Sequence, residues 1–430
     1  MENKTSLLSM ALLAVPCLTV LFALPSLSRR PALGIFETQG DIGAVLHPGS
    51  LVYNANEQQY TIEGSGTNMW TDHDEFHMVW KRMKGNFLLS TGCQFVGKGV
   101  EEHRKIGWII RSSLDPDSPY VDAAVHGVGL TSLQFRKTKG AQTEQITFAL
   151  SGPDVVQLER KGDTYIMSAA RSGDPFEIQK VAGIALGDDV YVGLFVCAHN
   201  KDVVEKAVFR NVQIIVPAKD NFVPYRDFIG SNLEIMDVAT GNRKIIYRSP
   251  ESLQAPNWTP DGKALIYTSN GLLYRFNLAK GAPAVINTAF ATNNNNDKVV
   301  SFDGKMLGIS NGSKEDGNTS MVYTVPVRGG TPKKLTKRGP SYMHGWSPDG
   351  KYLVFTGGRD GEFDIYKIPA AGGEEIRLTT EKGLDDGPEY SPDGKYIYFN
   401  SERSGTMQIW RMKPDGSEQE RVTTGDKYND

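Results

Sequence analysis

A turn that recurs four times in the C-terminal half of the 430-residue chain limits its fold more than any other feature. The copies share Asp-Gly-Lys, with proline before the aspartate in three of them, and occupy residues 259–263, 302–305, 347–351 and 391–395. Successive aspartates, at positions 261, 303, 349 and 393, are 42, 46 and 44 residues apart. Proline fixes φ, aspartate accepts local backbone hydrogen bonds and glycine adopts a positive φ, so each copy is predicted to reverse the chain.

The residues around each turn repeat as well. An apolar run follows the turn, as at 352–355, and a second run with its own aromatic residue comes next, as at 364–368 and 408–412. The units close on leucine or valine followed by threonine, at residues 335–336, 378–379 and 422–423. A period of about 44 residues made of short strands and turns is typical of β-propeller blades.

These residues resemble the WD40-type (PD40) repeats of the TolB family of bacterial propellers, whose blades carry the same Ser-Pro-Asp-Gly-Lys turn. The resemblance covers residues 231–430. It implies a β-propeller and contacts with proteins of the cell envelope. It does not imply membership of the Tol system, because the N-terminal α/β domain of TolB is replaced here by a different domain.

The number of repeats falls short of the six blades of TolB-type rings. A strand pair at 232–238 and 243–247 opens the series, four fuller units follow, and the total is about four and a half blades. Since a ring closes by pairing its first and last strands, we expect that Asp430 is not the natural end of the chain.

Residues 34–216 lack the period and show many short alternating apolar runs, which favour a β-sandwich. Their order resembles the concanavalin-A-like (laminin-G-type) jelly-roll sandwich. It is similar to a bacterial branch of unassigned function, marked here by the phrases at 40–43, 74–77 and 107–111. The predicted fold class is therefore all-β: a concanavalin-A-like sandwich, a linker at 217–230 and a TolB-like propeller at 231–430.

The N-terminus has the pattern of an export signal. Lys4 precedes a nearly continuous apolar run at 7–24, and residues 26–28 are candidates for cleavage. We predict a signal peptide at 1–28 and a periplasmic or secreted protein; an uncleaved N-terminal membrane anchor is the alternative. Cys93 and Cys197 then meet an oxidising compartment, as buried thiols or as a disulfide.

Composition excludes several function classes. A net charge of −3 provides no basic patch for nucleic acid, and no phosphate-binding glycine loop follows a strand, so we expect no cofactor. Gly308-Ile309-Ser310-Asn311-Gly312 matches a nucleophile elbow. However, Ser310 aligns with Thr268 and Thr356 of other repeats, and no helical pattern follows, so we predict no catalytic residue.

Aromatic and planar polar side chains in the sandwich form a candidate carbohydrate site. Sugars bind aromatic faces through C–H groups and planar donors through hydroxyls. The candidate residues are Trp70, His77, Trp80, Arg111, His126, Gln134 and Arg136. His73 and His77 suit a metal only weakly, because the alternation around them predicts a strand rather than a helix, and we expect no metal.

A second candidate site is one mouth of the propeller, where acidic residues fall in comparable loops. Its residues are Asp297, His344, Asp385 and Asp386. The turn residues Asp261, Gly262, Asp303, Gly304, Asp349, Gly350, Asp393 and Gly394 are expected to be structural.

These features predict a non-catalytic binding or scaffold protein of the envelope whose propeller binds a protein or peptide partner. Two alternatives remain. One is a carbohydrate-binding module, with the sandwich as the reader. The other is the recognition part of a prolyl-oligopeptidase-like peptidase, whose α/β-hydrolase domain would lie beyond residue 430.

Overall fold

The computed structural model describes residues 33–224 and 226–425, and it is all-β apart from one short 3-10 turn at Lys314–Asp316. The predicted signal peptide at 1–28 and the terminal Asp430 lie outside these residues. No helix in the described ranges is long and apolar enough to cross a membrane.

The N-terminal part is made of two seven-stranded antiparallel sheets. Its strands are β1 (Thr38–Ile42), β2 (Ser50–Asn54), β3 (Gln59–Gly64), β4 (Phe76–Lys84), β5 (Phe87–Val96), β6 (Lys105–Arg111), β7 (Tyr120–His126), β8 (Thr131–Arg136), β9 (Glu144–Thr147), β10 (Val155–Lys161), β11 (Thr164–Ala170), β12 (Glu177–Val181), β13 (Asp189–Cys197) and β14 (Glu205–Ile215). The first sheet has the order β1-β4-β13-β6-β7-β8-β9 and the second β12-β11-β10-β5-β14-β3-β2. The concanavalin-A-like assignment stays a prediction.

One apolar core holds these sheets together. Trp108 and Leu194 of the first sheet and Leu89 and Phe209 of the second are all completely buried in it. The alternation of apolar residues along each strand directs them to this layer, because successive side chains point to opposite faces. A tight hairpin joins β10 to β11, in which Lys161 pairs with Thr164 across the two-residue turn Gly162-Asp163.

Cys93 and Cys197 are free thiols. Cys93 lies on β5 in the second sheet, whereas Cys197 ends β13 in the first sheet. The structure therefore favours the buried-thiol alternative over a disulfide.

The C-terminal part contains one two-stranded sheet and four four-stranded sheets in the described residues. Its strands are β15 (Ser231–Met236), β16 (Arg243–Ser249), β17 (Gln254–Trp258), β18 (Ala264–Ser269), β19 (Leu272–Asn277), β20 (Ala282–Ile286), β21 (Asn294–Val300), β22 (Met306–Gly312), β23 (Ser320–Pro326), β24 (Lys333–Lys334), β25 (Ser341–Trp346), β26 (Tyr352–Arg359), β27 (Glu362–Pro369), β28 (Ile376–Arg377), β29 (Asp385–Tyr390), β30 (Ile397–Ser401), β31 (Gln408–Met412) and β32 (Glu420–Arg421). Each four-stranded sheet is an antiparallel blade of consecutive strands.

The blades pack face to face through separate apolar clusters. Leu307 of the second blade packs with Ile266 of the first, and Val354 of the third packs with Phe399 of the fourth. The first strands of the blades, β17, β21, β25 and β29, are neighbours in space. We call them the inner strands.

The repeated turn has the same geometry in all four blades. The Ser347 hydroxyl is 2.7 Å from the Asp349 carboxylate, which accepts the Lys351 N–H at 3.1 Å, and Gly350 has φ +70°. Equivalent bonds occur at residues 259–263, 301–305 and 391–395. The aspartate is required as an acceptor and the glycine for its positive φ, as the sequence predicted.

The threonine that ends each unit has a structural role as well. The Thr379 hydroxyl accepts a 3.0 Å hydrogen bond from the Ile365 N–H on the third strand of its blade. Thr336 and Thr423 make the same bond in their blades, at 2.9 Å each. The threonine thereby ties the end of the outer strand to the blade.

Several side chains join the two parts of the chain, among them Gln58, Asn211 and Lys244. The Gln58 side chain donates to the Ile245 carbonyl at 2.8 Å and accepts from the Ile245 N–H at 3.1 Å. An amide side chain paired this way replaces the backbone partner that an edge strand lacks.

Candidate functional site

One face of the first sheet is polar although it is buried. Lys105 and Arg111 on β6, Asp122 and His126 on β7, and Gln134 and Arg136 on β8 all point to the face opposite the main core, and none of them is more than 4% exposed. The segment that precedes β4, which carries Asp74, packs over this face through hydrogen bonds to these strands. Buried polar groups are normally hydrogen-bonded, so the partners of these side chains show what the groups are used for.

Asp74 is the partner of both arginines. Its carboxylate accepts from Arg111 at 2.7 Å and from Arg136 at 2.7 and 2.9 Å. The remaining guanidinium donors go to backbone carbonyls, including those of Asp115 at 2.6 Å and Thr71 at 2.7 Å. The expectation that these arginines face a glycan is therefore corrected, because their donors are used and both side chains are completely buried.

His77 and Trp80 lie on β4. His77 contacts Asp41 at 2.7 Å and Gln39 at 3.2 Å on β1, and burial lowers its pKa while Asp41 opposes that shift. Trp80 lies on the same face of the sheet as the buried polar side chains, where it packs in a small cluster of apolar residues. In the ranges that the structure covers, no group of three or more His, Cys, Asp or Glu side chains is arranged to hold a metal ion.

Trp70 and His126 meet at a cavity of about 170 Å³ at one end of the polar face. Gln134, the third predicted residue of this area, lies 3.2 Å from His126 through its side-chain nitrogen. The other residues of the wall were not predicted from the sequence: His103, Lys105, Leu130, Gln145 and His199. They come from separate segments, and the pairing of β13, β6, β7, β8 and β9 in one sheet brings them together.

Three of the four residues predicted at the propeller mouth do lie together on the inner strands. His344 on β25 is 3.4 Å from Asp386 on β29, and Asp386 also accepts from the Thr356 hydroxyl at 2.7 Å. Burial raises the pKa of Asp297 on β21, attraction from His344 opposes this shift, and Asp386 adds to it. Glu389, which the analysis missed, is also near His344. We call Asp297, His344, Asp386 and Glu389 the inner-strand cluster.

A β-bulge occurs in each of the four inner strands. The register shifts between Gln254 and Asn257, Asn294 and Lys298, Met343 and Gly345, and Asp386 and Glu389. A bulge changes the direction in which side chains point and leaves some backbone groups without an inter-strand hydrogen bond. The repeated bulges explain how residues from three blades reach one another.

Asp385 is the exception among the mouth residues. It is 1% exposed and pairs with Arg403 of the same blade at 2.6 Å. The prediction that it faces the mouth is wrong, because the alternation of β29 turns it into the blade while Asp386 faces out.

Ser310 is buried on β22, where its hydroxyl accepts a hydrogen bond from Met343 of the next blade. The strand-turn-helix of a nucleophile elbow is not formed there, since β22 continues to Gly312 and pairs with β23. The serine is therefore a structural residue of the blade.

Comparisons with known proteins show which family the repeats resemble. Residues 342–430 match the family described as the TolB beta propeller domain. An uncharacterized protein of Agrobacterium fabrum is 50% identical over 160 residues, which are 37% of this chain and 54% of that protein. The Tol-Pal system protein TolB of Bordetella pertussis is 30% identical over 152 residues, 33% of each chain.

The chain thus spans about half or less of the length of the curated relatives that it matches. A solved Agrobacterium tumefaciens structure, assigned to TolB, is 47% identical, with 46% of this chain and 71% of that chain aligned and a TM-score of 0.44. The segment that matches the family by sequence also folds into four-stranded blades. Residues 342–430 are a TolB-type β-propeller domain in an all-β chain.

Proposed function

We propose that this chain is a non-catalytic binding protein of the bacterial envelope whose propeller holds an extended protein or peptide segment. The observation that carries the proposal is the inner-strand cluster, in which His344 lies 3.4 Å from Asp386, and burial raises the pKa values of Asp297 and Glu389 while attraction from His344 opposes that shift. Asp297, His344 and Asp386 are half-buried and Glu389 is exposed, so a partner can reach them.

The chemistry of the cluster selects a cationic side chain. The cluster contains three carboxyl groups and one histidine. Lys298, the neighbour of Asp297 in the chain, is used elsewhere, because it donates to the carbonyls of Gln254 at 3.1 Å and Ala255 at 2.6 Å. A lysine or arginine of the partner would supply the missing charge. Backbone groups freed by the bulges would bind the main chain of an extended segment.

An envelope location is part of the proposal. The export pattern at 1–28 supports it, and so does the similarity to proteins named for the Tol-Pal system. The uncleaved N-terminal segment remains the alternative route to the membrane.

Selection of peptides on the immobilised protein tests this function. Random linear peptides that bind should be enriched in lysine and arginine, and their binding should weaken with salt because the contact is ionic. The double change Asp297→Asn with Asp386→Asn should weaken binding at least about tenfold, the loss expected when a charge pair is removed.

The matched control is Asp360→Asn, on a hairpin tip where the carboxylate is 87% exposed. It removes one negative charge from the propeller without touching the cluster. Equal binding by the control and the double variant, or no enrichment of basic peptides, would refute the proposed site.

Carbohydrate binding by the N-terminal part is a second candidate function. The meeting of Trp70 and His126 at one cavity favours it. It is independent of the propeller.

A further inference from the structure

We infer that the cavity beside Trp70 is a binding site for a single sugar-sized ring that carries a carboxylate, a uronic acid. The inference deepens the carbohydrate-binding candidate and rests on it. It concerns the cavity defined above, with Lys105 as the residue that selects the anion.

The inference depends on the burial of Lys105 and on its shortage of hydrogen-bond acceptors. This side chain is 1% exposed and lines the cavity, and its one side-chain hydrogen bond within the described residues is a 3.4 Å contact with Asn68. An ammonium has three donors, and a buried ammonium without partners is costly. An acceptor in the cavity would satisfy the donors that the protein leaves free.

The surroundings of Lys105 favour a negative ligand. The imidazoles of His103, His126 and His199 share the cavity wall, with His103 5.7 Å from each of the others between ring centres. The nearby Asp122 is completely buried as well, and burial raises its pKa well above the usual value although attraction from Lys105 opposes that shift. Burial lowers the pKa of Lys105 while attraction from Cys197, Asp122 and Asp74 opposes that shift, so a ligand carboxylate in the cavity would stabilise the charged ammonium.

His126 offers a further unused group. Its side chain is 4% exposed and its Nδ1 has no hydrogen-bond partner in the described part of the chain. Burial lowers the pKa of His126 to about 3, and repulsion from Lys105 adds to this effect. A neutral imidazole is therefore present, and it can bond a ligand hydroxyl.

The aromatic wall selects a ring over a bare anion. The Lys105 ammonium lies 5.6 Å from the centre of the Trp70 ring, which is half-buried at the cavity. An indole face binds the C–H surface of a sugar, and Leu130 adds apolar contact. A cavity of about 150 Å³ holds one benzene-sized molecule, so about 170 Å³ suits one sugar unit.

Calorimetric titration of the full chain with D-galacturonate and D-glucuronate tests the inference. We expect one of them to bind, and the matching neutral sugars, galactose and glucose, to bind at least about tenfold more weakly because they leave Lys105 unpaired. Inorganic phosphate, the bare-anion probe, should bind more weakly than the uronate and should not displace it.

Lys105→Met should abolish the preference for the uronate, while Lys98→Met, at an exposed lysine of the same part of the chain, should not change it. In case the buried change impairs folding, Gln145→Ala and His103→Ala remove exposed residues of the wall and should weaken uronate binding several-fold with an unchanged melting temperature. His47→Ala, at an exposed histidine outside the cavity, is their control.

The outcomes separate the two levels of the proposal. A neutral sugar that binds as well as the uronate, with Lys105→Met unaffected, would overturn the anionic ligand and leave carbohydrate binding in place. Phosphate that binds as well as the uronate would overturn recognition of the ring. No binding of any sugar at millimolar concentration would overturn both.

Discussion

The hydroxyl of Ser310 accepts a 2.7 Å hydrogen bond from the backbone N–H of Met343, which lies on the inner strand of the next blade. Thr356, at the same place in the following blade, donates a 2.7 Å hydrogen bond to the Asp386 carboxylate on the inner strand of the blade after it. In these two blades a hydroxyl near the end of the second strand thus links one blade to the next. This relationship gives the serine of the Gly-x-Ser-x-Gly sequence a role in packing.

Removal of the Ser310 hydroxyl should therefore destabilise the propeller. Ser310→Ala leaves the Met343 N–H buried without a partner, which costs about 1–3 kcal/mol. Ser310→Thr should cost less, since threonine occupies this place in two other blades. Urea unfolding followed by tryptophan fluorescence measures both, with Ser404→Ala at an exposed serine as the control. Unchanged stability of Ser310→Ala would contradict the linking role.

Thr379→Val tests the threonine that closes a blade. Valine keeps the shape but leaves the Ile365 N–H without an acceptor, for which we expect a loss of about 1–3 kcal/mol in the free energy of unfolding. Thr380→Val, one residue later at an exposed threonine, is a matched control. Equal unfolding midpoints for the two variants would show that the hydrogen bond contributes nothing.

Asp74→Ala should strongly destabilise the N-terminal part. It leaves Arg111 and Arg136 buried without a counter-charge, and the loss of one partner of a buried ion pair costs about 3–5 kcal/mol. Thermal unfolding followed by circular dichroism measures the effect. Asp115→Ala, which breaks an exposed pair with Lys139, should leave the melting temperature unchanged. A wild-type melting temperature for Asp74→Ala would refute the assignment.

Acid should weaken the propeller through its repeated turns. Hydrogen bonds from the Ser301, Ser347 and Ser391 hydroxyls lower the pKa values of Asp303, Asp349 and Asp393 to about 2, from 3.8 in the unfolded chain. A lowered carboxyl pKa stabilises the folded state above pH 3.8, and this contribution disappears as the pH falls towards 2.

The triple change of these three aspartates to asparagine tests the sign. The variant should melt below the wild type at pH 5, and the difference should shrink between pH 4 and pH 2, because protonation removes the same interaction from the wild type. Melting curves across this range measure it. A difference that stays constant down to pH 2 would exclude the carboxylates as its source.

Local sequence predicted the repeats well because their causes are local. The Pro-Asp-Gly-Lys turn needs an acceptor and a positive φ within five residues, and the closing threonine bonds a strand of its own blade. The candidate sites were predicted less well. Arg136 was placed on a ligand face, and only the buried carboxylate of Asp74, 62 positions earlier in the chain, shows why it cannot bind a ligand.

The all-β class, the 44-residue period and the residues of each turn can be predicted from local sequence, since propensity and alternation act over a few neighbours. Which polar residues meet depends on how distant strands pack together. Asp386 and Asp385 are adjacent in sequence, yet the pleat of β29 turns one towards His344 and the other towards Arg403. Lys105 and Trp70 meet because strands distant in the chain pair in one sheet, and sheet pairing depends on the packing of the whole core.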